Sequence, residues 1–352
     1  MKRERNSSIE LLRVLAIFGI VVMHTNAAVM KDCYGINQIW TQIENGVFNA
    51  GVSVFVLISG FYGIKRNKNK LIILWTTVVF YSVISAMIGY ILMGESVKSM
   101  ITAVIPISTN RYWFISCYII LMLFAPYINR VIESISQLQF TRLLVLMSVA
   151  FLLSPTVLYY SVLGGGKNIV NMLLLYFLGA YIHKYNLHNL ANKKVLLRIF
   201  FVITTLNILL NLAVSMATGI GQAHIPFARD CSVFVVVEAV AIMLLFVKTT
   251  LHSEIVNIVA SHVFAIYLFE SALRNIIKKM IFDYTIYEQE SYWFIINIIV
   301  ALCIMVSCIL IDFAVQKFLE PLRNLLLRII GKLQPKVTNY LLILDRLLKV
   351  DI

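Results

Sequence analysis

The sequence predicts an all-α fold: a polytopic integral membrane helical bundle of about ten transmembrane helices. Three observations carry this. Of the 352 residues, 60% are hydrophobic and only 13% charged, whereas about a quarter of a soluble domain is charged, and the mean hydropathy is +0.87. Apolar stretches close to bilayer length recur from one end of the chain to the other. The basic residues collect in alternate loops, as cytoplasmic loops of membrane proteins do. The net charge of +13 therefore reads as loop charge, and no nucleic-acid partner is expected.

The first stretch, 9–29, follows the basic start Met1 to Ser8. It is longer than a signal-peptide core and lacks a small-x-small cleavage site, so it reads as a retained helix. Further spans are expected at 46–64, 70–93, 112–132, 142–161, 169–184, 195–214, 232–248, 255–277 and 292–314, the sixth and eighth being short for a full crossing. An even count puts both termini on one side. Lys2, Arg3 and Arg5, then Lys65, Arg66, Lys68 and Lys70, then Lys184, Lys193, Lys194 and Arg198 share that side with the C-terminal tail, which makes it cytoplasmic. The expected division is a transmembrane domain over 1–320 and a basic amphipathic tail over 321–352. Leu322 to Leu348 suits two short helices on the inner leaflet, parted near Gly331 and Pro335. The opposite loops hold breakers, Gly164 to Gly166 and Thr218 to Asp230, which read as connections more readily than as lids.

The first span contains Arg13 and His24 with ten residues between them. Eleven helical steps return to nearly the same face, roughly 16 Å further along. Glu10 sits three residues before Arg13, within pairing reach. Intramembrane ionisable groups are costly and usually face a bundle interior or a wet cavity. The bland alternatives are an interfacial anchor for Arg13 and a packing role for His24. The ninth span carries Glu270 and Arg274, an i, i+4 pair that suits a neutralised structural pair, a carboxylate orienting a histidine, or an acceptor-binding pair. Glu238 is a further acidic residue within a span.

Weaker signals lie elsewhere. Ser53, Ser59, Gly60 and Gly63 in the second span suit close helix packing. The run from Lys65 through Arg66 to Lys70 sets topology or holds donor phosphates. Arg111 and Trp113 at a helix start suit an aromatic interface belt or a sugar platform. The chain has no P-loop, no GxGxxG after a strand, no HExxH and no GxSxG. Its six histidines lack metal-ligand spacing, and its five cysteines form no CxxC pair, so no metal and no bound cofactor are expected.

In order along the chain, these segments resemble the membrane-bound acyltransferase-3 family. The carriers are Arg13 and His24 within L-L-R-V-L-A-I-F-G-I-V-V-M-H, the segment Val54 to Phe61 ending in Ser59-Gly60-Phe61, Tyr112-Trp113-Phe114 with Pro126, and Phe264 to Phe269. The resemblance spans nearly the whole chain and is most specific in the Arg–His motif. It implies transfer of an acyl group, acetyl by default, from cytoplasmic acyl-CoA to a hydroxyl of a cell-surface or cell-wall glycan or its lipid-linked precursor. The expected setting is the plasma membrane of a bacterial-type cell, among membrane lipid. Arg13 and His24 would be the essential pair, with Glu270 a third catalytic candidate. Glu10, Ser59, Lys65, Arg66, Arg111, Trp113 and Arg274 would contact substrates. The chain departs from the family pattern twice. Phe269-Glu270 stands where a histidine often ends the late Tyr-Leu segment, and Lys65, Arg66, Lys68 and Lys70 stand for an Arg-x-x-Arg element. A transporter or flippase of a polar lipid or glycan precursor would use the same buried charges as a pathway lining.

Overall fold

The computed structural model describes residues 6–65, 68–158, 164–219 and 223–348, with side chains as far as Ile329. It is 82% helix with no strand among the described residues. The α-helices in chain order are α1 (Ser7–Thr25), α2 (Gly35–Phe48), α3 (Ala50–Tyr62), α4 (Lys68–Met93), α5 (Val97–Ala103), α6 (Trp113–Ser134) and α7 (Gln137–Ser148). They continue as α8 (Ser154–Leu158), α9 (Ile169–Lys184), α10 (Lys193–Thr218), α11 (Val233–Val247), α12 (Glu254–Ser261), α13 (Val263–Ile276) and α14 (Trp293–Leu348).

Among the described residues, seven helical stretches are long and apolar enough to cross a bilayer: Ser7–Thr25, Gly35–Tyr62, Asn69–Met93, Trp113–Ser134, Gln137–Leu158, Lys193–Thr218 and Trp293–Ile329. An eighth is Glu254–Ser261 joined to Val263–Ile281 across a 53° bend. The expected count of about ten is thus matched only as far as seven or eight. The other two segments, α9 and α11, have 16 and 15 residues. At ~1.5 Å per residue each falls short of a ~30 Å hydrocarbon core. Both were flagged as short by their sequence, and both are packed inside the bundle against α3.

Hydrogen bonds fix which loops share an end. The Ser8 hydroxyl donates to the Thr249 carbonyl at 2.6 Å, and the Ser253 amide donates to Ser7 Oγ at 3.1 Å. Lys184 Nζ donates to the Ile132 carbonyl at 2.6 Å. The start of α1 therefore shares an end, here the near end, with the start of α12. At the far end, the Ala223 amide donates to the Met30 carbonyl at 2.9 Å, and Asn37 Nδ2 to the carbonyls of Glu288 and Glu290 at 3.2 and 3.1 Å.

Two departures concern the second and last spans. The second begins earlier than its apolar core suggests, because α2 and α3 form one stretch from Gly35 to Tyr62. Polar residues of α2 are buried rather than solvated: Thr41, Gln42 and Glu44 are all under 2% exposed. The last helix runs on past 320 to Leu348 without a break at Gly331 or Pro335, where two short helices were expected. A proline removes one backbone donor and crowds the carbonyl four residues back, which weakens a helix without forbidding it, and the helical ladder on either side continues through both residues.

Small residues set the tightest contact. A Cβ on Gly60 would meet the Tyr176 backbone, and one on Gly179 would meet the Leu57 carbonyl. The glycines let α3 and α9 cross backbone to backbone, which is the packing role expected of Gly60. The loop before α11 is a buried connection. Arg229 Nη2 donates to the Pro155 carbonyl at 2.6 Å, and Asn171 Nδ2 to the Asp230 carbonyl at 3.2 Å. The Asp230 carboxylate is buried with neither oxygen hydrogen-bonded, and that burial pushes it up to about 6.

Replacing Gly60 by Val forces these backbones apart. It is expected to lower stability by about 1–3 kcal/mol, read as a reduced Tm of the detergent-solubilised protein; an unchanged Tm contradicts the contact. Asp230 predicts a pH effect. Its folded value lies above the ordinary ~3.9, so the folded state holds the proton more tightly, and stability falls as pH rises from about 4 to about 6 and then levels. Asp230→Asn is therefore expected to raise Tm relative to wild type above about pH 6, with the gap closing below about pH 4. A gap that widens on acidification contradicts this.

Candidate active site

The last turn of α1 brings His24 to the far end, and α13 presents Glu270 to it. His24 Nδ1 lies 2.9 Å from Glu270 Oε1. The two residues are 246 positions apart in sequence. The carboxylate side chain is only 6% exposed while the imidazole is 45% exposed. An ionised carboxylate accepts only, so a neutral imidazole facing it donates from Nδ1 and keeps its lone pair on Nε2. Arg274 Nη1 stands 3.5 Å from Glu270 Oε2, one helical turn further along α13. The pair read from sequence is thus a three-membered row: imidazole, carboxylate, guanidinium.

A second row holds the end of α1 in place. Glu44 Oε1 accepts from Asn26 Nδ2 at 2.5 Å, and Glu44 Oε2 accepts from Asn297 Nδ2 at 3.1 Å. Trp293 Nε1 donates to Asn26 Oδ1 at 2.6 Å, and the Thr25 hydroxyl donates to Asn297 Oδ1 at 2.5 Å. Thr25 and Asn26 directly follow His24, so α2 and α14 fix the backbone that aims the imidazole. None of Asn26, Glu44, Trp293 and Asn297 was singled out by sequence reading. Of these only Asn297, within F-I-I-N-I-I-V, carries the signal that marked Glu238, a lone polar residue inside an apolar run. Glu238 itself receives Asn207 Nδ2 at 3.4 Å.

Arg13 lies on the same stripe of α1, toward the near end. It pairs with Glu10, Nη1 to Oε1 at 3.3 Å, as the three-residue spacing predicted. Arg13, Ile17 and Ile20 line a largely apolar cavity of about 240 Å³, with Ser59, Tyr118 and Tyr267 opposite. The Ser59 hydroxyl lies 3.1 Å from the Tyr118 hydroxyl. The structure therefore brings Arg13, Glu10 and Ser59 to one compartment, and His24, Glu270 and Arg274 to another further along α1.

The remaining candidates join neither group. Trp113 is half-buried against the core at the start of α6, edge-on to Phe114. Its neighbour Tyr112 donates its hydroxyl to the Leu268 carbonyl at 3.1 Å, tying that helix start to α13 two residues before Glu270. Arg111 Nη1 donates to Ser99 Oγ at 3.1 Å. Lys65 is exposed just past the end of α3. Arg66 lies outside the described residues. No group of three or more metal-ligating side chains occurs among the described residues.

An all-helical bundle with seven or eight helical stretches among the described residues long and apolar enough to cross a bilayer, carrying a carboxylate-held histidine at one end of its first helix, is that of an integral membrane protein. The sequence profile described as the acyltransferase domain matches residues 6–315. The protein belongs to the acyltransferase-3 family, a family of membrane acyltransferases. No curated protein and no solved structure matches the chain.

Proposed function

We propose that the protein moves an acyl group, acetyl by default, from acyl-CoA to a hydroxyl of a cell-surface or cell-wall glycan or of its lipid-linked precursor. The single observation that carries this reading is the His24–Glu270 pair. Glu270 holds the Nδ1–H tautomer, so Nε2 serves as the general base. Nε2 takes the proton of the acceptor hydroxyl as its oxygen attacks the thioester carbonyl. The new C–O bond forms, the C–S bond breaks, and the departing thiolate takes the proton back from the imidazolium to leave as CoA. Arg274 faces the second oxygen of Glu270 and would complement its charge. A two-step variant, in which the acyl group rests on His24 before reaching the acceptor, uses the same geometry and differs by a labelled enzyme when donor is supplied alone.

Arg13 lines the apolar cavity and would hold donor phosphates or the thioester region by charge-assisted hydrogen bonds, with Glu10 steering its guanidinium and Ser59 facing it. The stripe Arg13, Ile17, Ile20 leads along α1 toward His24, which suits a long donor arm lying beside that helix. Lys65 follows α3 at the same near end and would, with its sequence neighbour Arg66, add positive charge for the donor. Arg111, Trp113 and Arg274 stand toward the far end, where a polar acceptor would approach. The near end gathers Lys65, Lys70, Lys184, Lys193 and Lys194, which supports a cytoplasmic near end; the setting that goes with this reading is the plasma membrane of a bacterial-type cell, with both termini cytoplasmic.

The test is CoA release and acyl labelling of extracted glycans in membranes containing wild type, His24→Ala or Arg13→Ala at matched expression. The expected result is labelled glycan with wild type, a loss on the order of 10²–10⁴-fold with His24→Ala, and a raised donor KM with Arg13→Ala. Full glycan labelling by His24→Ala overturns the proposal. Movement of an unmodified glycan precursor without CoA release places the protein among transporters.

A further inference from the structure

A second polar network lies at the near end, outside the residues used above. Asp312 of α14 accepts the Tyr81 hydroxyl at 2.6 Å and Gln316 Nε2 at 2.8 Å on Oδ1, while its Oδ2 lies 2.7 Å from His262 Nδ1. His262 occupies the bend between α12 and α13. Arg323, on the same face of α14 two turns beyond Gln316, donates from Nη1 to Gln316 Oε1 and from Nη2 to Thr77 Oγ1, both at 2.6 Å. Its Nε is buried without a hydrogen-bond partner. Thr77, His262, Asp312, Gln316 and Arg323, with Lys70 from the start of α4, line a cavity of about 360 Å³.

The charge arrangement is specific. Both Asp312 oxygens are engaged by Tyr81, Gln316 and His262, so the carboxylate organises the wall without bonding to Arg323. The hydrogen bonds of Arg323 go to neutral oxygens. Glu320 and Lys317 stand together on the outer rim. A guanidinium with a desolvated N–H left over, in a cavity that an ammonium also lines, is a setting for an oxygen-rich anion, and phosphate matches it in charge and geometry.

This cavity adjoins the one lined by Arg13. Leu74, Ser261 and Phe264 line both. A ligand with phosphates at one end and a long uncharged arm at the other would fill both spaces in sequence. We propose that Lys70 and Arg323, braced by Thr77, Gln316 and the His262–Asp312 pair, form the phosphate subsite for the nucleotide end of the acyl donor, while the arm lies along Arg13, Ile17 and Ile20. This rests on the acyl-CoA reading above. The same phosphate chemistry is offered by an anionic phospholipid headgroup, so the test separates the two sources.

The experiment measures CoA binding by calorimetry to the full-length protein in a neutral detergent, for wild type, Arg323→Ala, Arg323→Lys and Lys70→Gln. Each variant is first shown to be monodisperse with a Tm near wild type. Lys70 is exposed, so its variant keeps the test usable if Arg323→Ala does not fold. The expected result is Kd raised about tenfold or more in Arg323→Ala and in Lys70→Gln, with partial recovery in Arg323→Lys. CoA binding as tight as wild type in both Arg323→Ala and Lys70→Gln overturns the subsite and leaves the acyl-CoA reading standing. A wild type that binds no CoA, yet gains Tm in phosphatidylglycerol nanodiscs where Arg323→Ala does not, assigns the cavity to a lipid phosphate. That outcome overturns both the donor subsite and the acyl-CoA reading.

Discussion

A buried carboxylate on α13 facing an imidazole at the end of α1 is the contact on which the far end of this bundle depends. Taking Glu270 out of water is affordable only with partners: breaking a buried ion pair by removing one member costs about 3–5 kcal/mol. Glu270 has His24 on one oxygen and Arg274 facing the other. The same pairing gives the histidine a defined tautomer. Neighbouring contacts hold each of the two helices separately. The Glu44 network clamps Thr25 and Asn26 to α2 and α14, and Tyr112 ties α6 to α13.

The exposure gradient across the pair has a chemical consequence. Glu270 is almost fully enclosed and His24 is nearly half open. On the proposed mechanism, the group that would meet substrate is accessible, and the group that would orient it is shielded, where low dielectric strengthens the contact. Arg13 repeats the arrangement at lower depth, held by Glu10 and facing a cavity. One helix thus serves two compartments, and the rigid spacing of eleven residues sets their separation at roughly 16 Å.

Much of this was legible in the sequence because it is local. The Glu10–Arg13 pair and the common face of Arg13 and His24 follow from helical periodicity alone. The shortness of α9 and α11 follows from counting apolar residues. Gly60 could be read as a close-packing position without knowing that α9 was its partner. The His24–Glu270 contact was harder. Both residues stood out as ionisable groups in apolar runs, but a separation of 246 residues leaves no periodic signal to join them. Glu44, Asn297 and Asp312 went unread for a related reason. Asn297 and Asp312 sit in the same long helix and Glu44 in a polar one, and the role of each comes from partners on distant helices. The extent of α14 past Gly331 and Pro335 shows the opposite error, in which local breaker residues were given more weight than a long helical ladder.

The most direct measurement is a double-mutant cycle on CoA release and glycan acylation, using His24→Ala, Glu270→Gln and the combined variant in membranes with matched expression. If Glu270 acts through His24, each single change costs activity, and the combined variant is no slower than His24→Ala alone, since residues that work as a unit are strongly non-additive. Losses that multiply, so that the double variant falls by the product of the two single effects, would contradict the account and give Glu270 a role of its own.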